Sequence, residues 1–221
     1  MELLKNGLIK FGCGFLIVGL LLFLPAGTLQ YWYGWLFMTL LFAPMLIVGL
    51  VMYFKSPELL AKRLDAKEKQ SAQKGVLGLS GLMFMAGFVV AGLDFRFGWS
   101  GVHEVVVFGA VFVFMAAYLL YGEVLRENAY LSRTVKVEKG QTVVSTGLYG
   151  LVRHPMYMAT LLLFLVMPLL LGSLYALIPF AFYPVIIVIR LKDEEELLAR
   201  ELPGYTEYMQ KVPYRLIPYI W

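Results

Sequence analysis

Four long apolar runs, over residues 7–24, 31–54, 76–93 and 102–125, limit what this chain can fold into. A bilayer crossing takes about 20 residues, within a range of about 17–25, so each run is long enough, or nearly so, to span as a helix. A fifth stretch, 155–189, is too long for one ordinary crossing, and Pro168 and Leu171-Gly172-Ser173 interrupt it. It reads as two short helices folded back as a hairpin, which fits where neighbouring helices protect them or the bilayer is locally thin. Apolar residues make up 60% of the chain and charged residues 15%, outside the balance of a soluble globular domain. The expected fold is an all-α integral membrane protein: four transmembrane helices, a C-terminal helical hairpin and a polar cytoplasmic tail.

The charges orient this bundle. Lys5 precedes the first run and Lys10 lies near its start, and the link to the third holds Lys55, Lys62, Arg63, Lys67, Lys69 and Lys74. The link after the fourth run holds Arg126, Arg133, Lys136, Lys139 and Arg153. On the other side, residues 25–30 carry no charge and 94–101 only Asp94 and Arg96. The positive-inside rule places both termini and both long links in the cytoplasm. The same bias accounts for the net charge of +4, and no soluble basic face is left for nucleic acid. The first run resembles a signal peptide, with small residues at Pro25-Ala26-Gly27, but is read as a retained helix. Cys13 is the sole cysteine, so there is neither an intrachain disulfide nor a cysteine cluster for a metal.

Two regions follow from this reading. Residues 1–125 form the four-helix membrane part, with an amphipathic cytoplasmic linker over 55–75. Residues 126–221 hold the hairpin, 155–190, and the tail. Within the linker, Ser56 and Pro57 suit an N-cap and first helical position, predicting a helix over 56–74. Gly75, Gly78 and Gly81 predict a seam for close helix packing. Val135–Val137 and Thr142–Val144, about Lys139-Gly140, suggest a β-like pair. The span interiors are almost free of charge, which argues against a transporter, whose polar residues sit at mid-membrane depth.

Most polar groups capable of chemistry flank the hairpin. Tyr149, Arg153, His154 and Tyr157 precede or open its first arm, with Pro155 suited to a first helical turn. Arg190, Glu194, Glu195 and Glu196 follow its second arm; Arg190 and Glu194 are four apart and positioned to pair on a helix. Tyr205, Tyr208, Tyr214 and Arg215 lie in the tail, after a bend at Pro203-Gly204. A hairpin that folds back returns all three clusters to one membrane face.

Their order resembles the isoprenylcysteine carboxyl methyltransferase family and the wider group of prokaryotic membrane methyltransferases, including phospholipid methyltransferase-like proteins. The resemblance runs from Gly140-Gln141 through Gly147-x-Tyr149, Arg153-His154-Pro155-x-Tyr157, Glu194-Glu195 and Tyr205-x-x-Tyr208 to Arg215-x-x-Pro218. It implies a small helical bundle whose hairpin and tail enclose S-adenosylmethionine near the cytoplasmic face, with a lipophilic or lipidated substrate entering from the bilayer. It further implies cofactor contacts from Tyr149, His154, Tyr157, Glu194, Glu195, Tyr208 and Arg215. A carboxylate at Glu194 or Glu195 suits the ribose diol. Arg153, with Arg190 as the alternative, would orient the substrate. Methyl transfer from a sulfonium is an in-line displacement and implies no metal, so catalysis would rest on alignment. Ala159 stands where the family often has glycine, and Leu202-Pro203-Gly204 replaces a Phe-Gly approach. These departures bear on the substrate tunnel. The ending from Val212 to Trp221 also resembles sterol reductases, which bind NADPH and have a related Arg-His-Pro-x-Tyr segment, usually with asparagine in place of Met156. Those enzymes are much longer.

Overall fold

A computed structural model describes residues 2–65, 71–132, 137 and 139–221. The described chain is helical and contains no strand. Helices α1 (Glu2–Ala26), α2 (Trp32–Lys55), α4 (Ser71–Phe97) and α5 (Glu104–Glu127) form the long bundle, and the short α3 (Pro57–Leu64) joins α2 to α4. All four long helices are long and apolar enough to cross a membrane. Their outward residues, such as Leu16, Leu24, Phe54, Phe108, Phe112 and Leu119, are exposed, as lipid-facing side chains are.

The expected hairpin forms with unequal arms. Its first arm, α6 (Pro155–Leu170), opens on Pro155, whose missing N–H costs nothing at that position. Sixteen residues rise about 24 Å, short of the ~30 Å hydrocarbon core. The turn at 171–176 uses Gly172 at φ +69, where the Tyr33 ring also leaves no room for a Cβ. The return is a single turn, α7 (Leu177–Phe180), followed by α8 (Tyr183–Glu201). The polar half of α8 continues past the apolar part and carries the glutamates beyond it. Gly204, at φ +83, then starts the tail helix α9 (Tyr205–Lys211) at the expected bend.

One buried cluster runs from Leu22 and Phe37 through Phe88 and Phe114 to Met167, Phe180, Leu191 and Leu216. Residues 1–125 and 126–221 therefore share a core. A smaller cluster of Leu202, Tyr205, Tyr208 and Val212 gathers Val137 and Val143 from the link. At the end of α6 away from Arg153, buried Asp94 accepts from the Ser100 N–H at 2.7 Å and from the Ser100 and Ser173 hydroxyls. This ties α4 to the hairpin turn.

Three local expectations change. The linker helix is confined to Pro57–Leu64; residues 66–70 lie outside the described residues and α4 already begins at Ser71. Among the described residues nothing lies where a Cβ on Gly75, Gly78 or Gly81 would stand, so they form no seam with them. Gly87 and Gly92 make the close approaches instead: a Cβ would strike the Phe180 ring at the first and the Leu22 carbonyl at the second. Of the β-like pair, Val135 and Lys136 lie outside the described residues. Val137 and Thr142–Val144 are irregular, and Val137 and Val143 pack on the tail.

Candidate active site

The link into α6, the polar half of α8 and the tail converge on one cleft. The link first turns through a 3-10 segment, Gly147–Gly150. Gly147 has φ +49, and the Glu127 carboxylate fills the space a Cβ would take. Oε2 of Glu127 accepts from the Leu148 N–H at 3.0 Å, holding the turn against the end of α5. Tyr149 is thereby fixed. Its hydroxyl accepts from Asn128 Nδ2 at 2.9 Å, and its carbonyl accepts from the Tyr208 hydroxyl at 2.7 Å.

Arg153 and His154 grip the tail through their backbones. Their N–H groups donate to the carbonyls of Tyr214 and Arg215, each at 2.9 Å. The Arg153 guanidinium is engaged further: Nε donates to Glu195 Oε1 at 2.6 Å, and Nη1 to the carbonyls of Val212 and Pro213 at 2.7 and 3.0 Å. Arg215 Nε donates to the other Glu195 oxygen at 2.7 Å, and its guanidinium lies over the Trp221 ring. His154 Nε2 lies 3.2 Å from Glu195 Oε1. Burial alone would raise the pKa of the Glu195 carboxyl, but hydrogen bonds from His154, Arg153 and Arg215 outweigh it and hold the value at about 2.

Glu194 is turned differently, since successive helix positions differ by about 100°. It accepts from the Tyr157 hydroxyl, and Arg190 Nε donates to that same hydroxyl at 3.1 Å. The rings of His154 and Tyr157 stack with centroids 5.7 Å apart.

Between these groups and the tail lies a cavity of about 100 Å³, within a cleft of about 800 Å³ counting space open to solvent. Small-molecule sites usually enclose ~300–1,000 Å³, so a ligand of nucleoside size would extend into the cleft. Tyr149, Arg153, His154, Tyr157, Glu194 and Tyr208 line the cavity, together with Asn128, Met156 and Tyr205. Arg190, Glu195 and Arg215 do not line it and stand behind this wall, contacting groups that do. Among the described residues the buried Tyr205 hydroxyl has no hydrogen-bond partner. Burial first, and then the charges of Glu195 and Glu194, raise its pKa, so it stays a donor. Asn128 was not foreseen because it belongs to no motif; its position just past α5 was the only signal.

Residues 105–200 match the model of the isoprenylcysteine carboxyl methyltransferase (ICMT) family, a match that points to a membrane methyltransferase. The matched range includes Arg153, Tyr157 and Glu195 but stops before Tyr205, Tyr208 and Arg215. The chain is also 33% identical over 92 residues to the Delta(14)-sterol reductase TM7SF2 of Mus musculus, covering 40% of this chain and 22% of that relative's length.

Proposed function

We propose that this chain is an integral membrane methyltransferase that uses S-adenosylmethionine, with its cavity on the cytoplasmic face and a lipophilic acceptor arriving from the bilayer. One observation carries the choice of cofactor. Among the described residues of the cavity wall, Arg153 is balanced by Glu195, His154 also faces Glu195, and Glu194 presents its carboxylate. That charge pattern suits a cationic ligand with hydroxyl groups. It does not suit the pyrophosphate of NADPH, which calls for accessible cations. The partial likeness to a sterol reductase therefore supports a shared scaffold more than a shared cofactor.

When bound, S-adenosylmethionine supplies an electrophilic methyl group on a sulfonium. Glu194 and the unpartnered Tyr205 hydroxyl are the groups suited to its ribose hydroxyls. The stacked rings of His154 and Tyr157 offer a flat surface for the adenosine, and Asn128 an amide beside it. Tyr149 and Tyr208, bonded to each other through the Tyr149 carbonyl, close that side. Glu195 and Arg215 contribute by holding the tail in place. Orientation of the acceptor, foreseen for Arg153 with Arg190 as the alternative, is indirect in this reading: the Arg153 guanidinium already binds Glu195 and two carbonyls, and Arg190 acts through the Tyr157 hydroxyl. The protein's own contribution is positioning and exclusion of water, and alignment of this kind contributes up to about 7–11 kcal/mol.

Calorimetry on the purified protein in neutral detergent tests the proposal. S-adenosylhomocysteine should bind, NADPH should not, and Glu194→Gln should weaken the first by about 10- to 100-fold. Binding of NADPH without S-adenosylhomocysteine would favour the reductase reading. Binding of neither would leave a non-enzymatic scaffold or transporter.

A further inference from the structure

A second hollow opens between α1 and α2, and it runs towards the end of the bundle away from the cleft. It is a groove of about 490 Å³, outside the residues that match the family. Leu16, Leu20, Phe23 and Leu24 of α1 and Trp35 and Met38 of α2 line it. Leu16, Leu20, Leu24 and Trp35 are exposed, so the groove opens onto the lipid-facing surface. Its walls are fixed. Trp35 Nε1 donates to the Leu29 carbonyl at 2.8 Å, and the Phe23 and Trp35 rings lie 4.7 Å apart between centroids. Gly19 leaves the middle of the groove wide, because a side chain there would project towards Met38 on the opposite wall.

Length and charge together select an occupant. From Phe15 to Gly27 the wall rises about 18 Å at 1.5 Å per residue. One leaflet of a ~30 Å hydrocarbon core is about 15 Å deep, so the groove runs the depth of one leaflet. Gly27 and Thr28 stand at its far end. There Arg96, in the last turn of α4, meets it: a Cβ at Gly27 would lie 3.4 Å from Arg96 Cζ and 3.5 Å from Nε and Nη1. The guanidinium thus rests on the groove's own wall. It is exposed, its Cζ lies 5.5 Å from the Phe97 ring centroid, and among the described residues no carboxylate pairs with it. Trp32, Trp35 and Trp99 are exposed near the same end, where indoles mark the headgroup level. A partner helix is about 10–12 Å across and could rest only on the rim of such a groove. An acyl chain can enter it.

We propose that this groove is a binding site for a glycerophospholipid, with one acyl chain between α1 and α2 and the phosphate on Arg96. The site is separate from the cleft and does not depend on the methyltransferase reading. The forked donors of arginine suit phosphate oxygens, and this guanidinium otherwise meets a ring and neutral backbone. A lipid held in this way bridges α1 and α2 to the end of α4, which Asp94 already ties to the hairpin turn.

Native mass spectrometry of the full chain in neutral detergent tests this, with dioleoylphosphatidylglycerol and dioleoylglycerol as probes. The two share their chains and differ in the phosphate head. The wild type should hold one phosphatidylglycerol about tenfold more tightly than the diacylglycerol, equivalent to ~1.4 kcal/mol. Arg96→Gln should remove that preference, and Arg96→Lys should keep part of it. Leu20→Trp, at an exposed position of the wall, fills the groove and should weaken both lipids without changing any charge. Arg96→Gln should then add no further loss to Leu20→Trp, because both changes act on one lipid. Equal binding of the two lipids by the wild type overturns the proposal, as does an unchanged preference in Arg96→Gln. Unaltered binding in Leu20→Trp would leave Arg96 a surface contact for anions, with the same consequence. Basic groups at the cleft end, such as Lys62, also attract anionic lipid. A preference that survives Arg96→Gln and falls in Lys62→Gln would place the lipid there and overturn the proposal. Displacement of the lipid by inorganic phosphate would do so too, since the chain would then contribute nothing.

Discussion

Arg153 and Glu195, 42 positions apart, meet at 2.6 Å with side chains only 6% and 8% exposed. This pair joins the start of α6 to the polar half of α8, and the remaining donors of Arg153 draw in the tail. Opening it by Glu195→Gln leaves Arg153 and Arg215 facing a neutral amide. Breaking a buried pair from one side costs about 3–5 kcal/mol. The thermal midpoint in detergent should fall, and proteolysis should begin within the tail. A variant with wild-type stability would show that the pair does not hold the tail.

The same carboxylate makes stability depend on pH. Its pKa is lowered from the ordinary value of 4.5 to about 2, so its contribution is complete above about 4.5 and declines as pH falls towards 2. A change of that size corresponds to about 3 kcal/mol. Thermal midpoints measured from neutral to acidic pH should drop through this window in the wild type. Glu195→Gln should lack that part of the slope.

Tyr205→Phe separates folding from binding. Removing a buried hydroxyl that has no partner among the described residues should leave the ligand-free protein as stable or slightly more so, because an unsatisfied group costs about 1–3 kcal/mol. Affinity for S-adenosylhomocysteine should fall by about tenfold if the hydroxyl serves the ligand. Unchanged affinity would remove Tyr205 from the site.

Gly147→Ala combines a left-handed backbone with an overlap on the Glu127 carboxylate. Backbone strain of this kind costs about 1–3 kcal/mol. Adding Glu127→Ala should relieve the overlap but not the strain, so a double-mutant cycle should show partial rescue. Simple additivity of the two stability changes would mean that the residues do not meet.

Much of this arrangement was legible in the sequence. Continuous hydrophobicity marked the four long helices, Pro155 marked the start of α6, and Pro203-Gly204 marked the bend before α9. The return of three polar clusters to one face followed from the hairpin. The difference between Glu194 and Glu195 was not legible, because adjacent glutamates are distinguished only by the rotation of α8 against its neighbours. Nor was the binding of Arg153 to the carbonyls of Val212 and Pro213, since backbone acceptors carry no sequence signature. Gly75, Gly78 and Gly81 had the spacing of a packing motif, yet the close approaches fell at Gly87 and Gly92, where Phe180 and α1 happen to lie. Arg96 was counted only towards membrane orientation, because its place against Gly27 depends on how α4 packs on α1.

The grip of Arg153 and His154 on residues 212–215 also bears on the order of biosynthesis. Segments emerge from the ribosome in sequence, and domains tend to form as they emerge. The apolar helices can enter the bilayer while the carbonyls that Arg153 needs are still untranslated. Insertion of the apolar helices and closure of the cleft are therefore separate events, and a chain without residues 212–221 would keep the helices but lose the acceptors that fix Arg153.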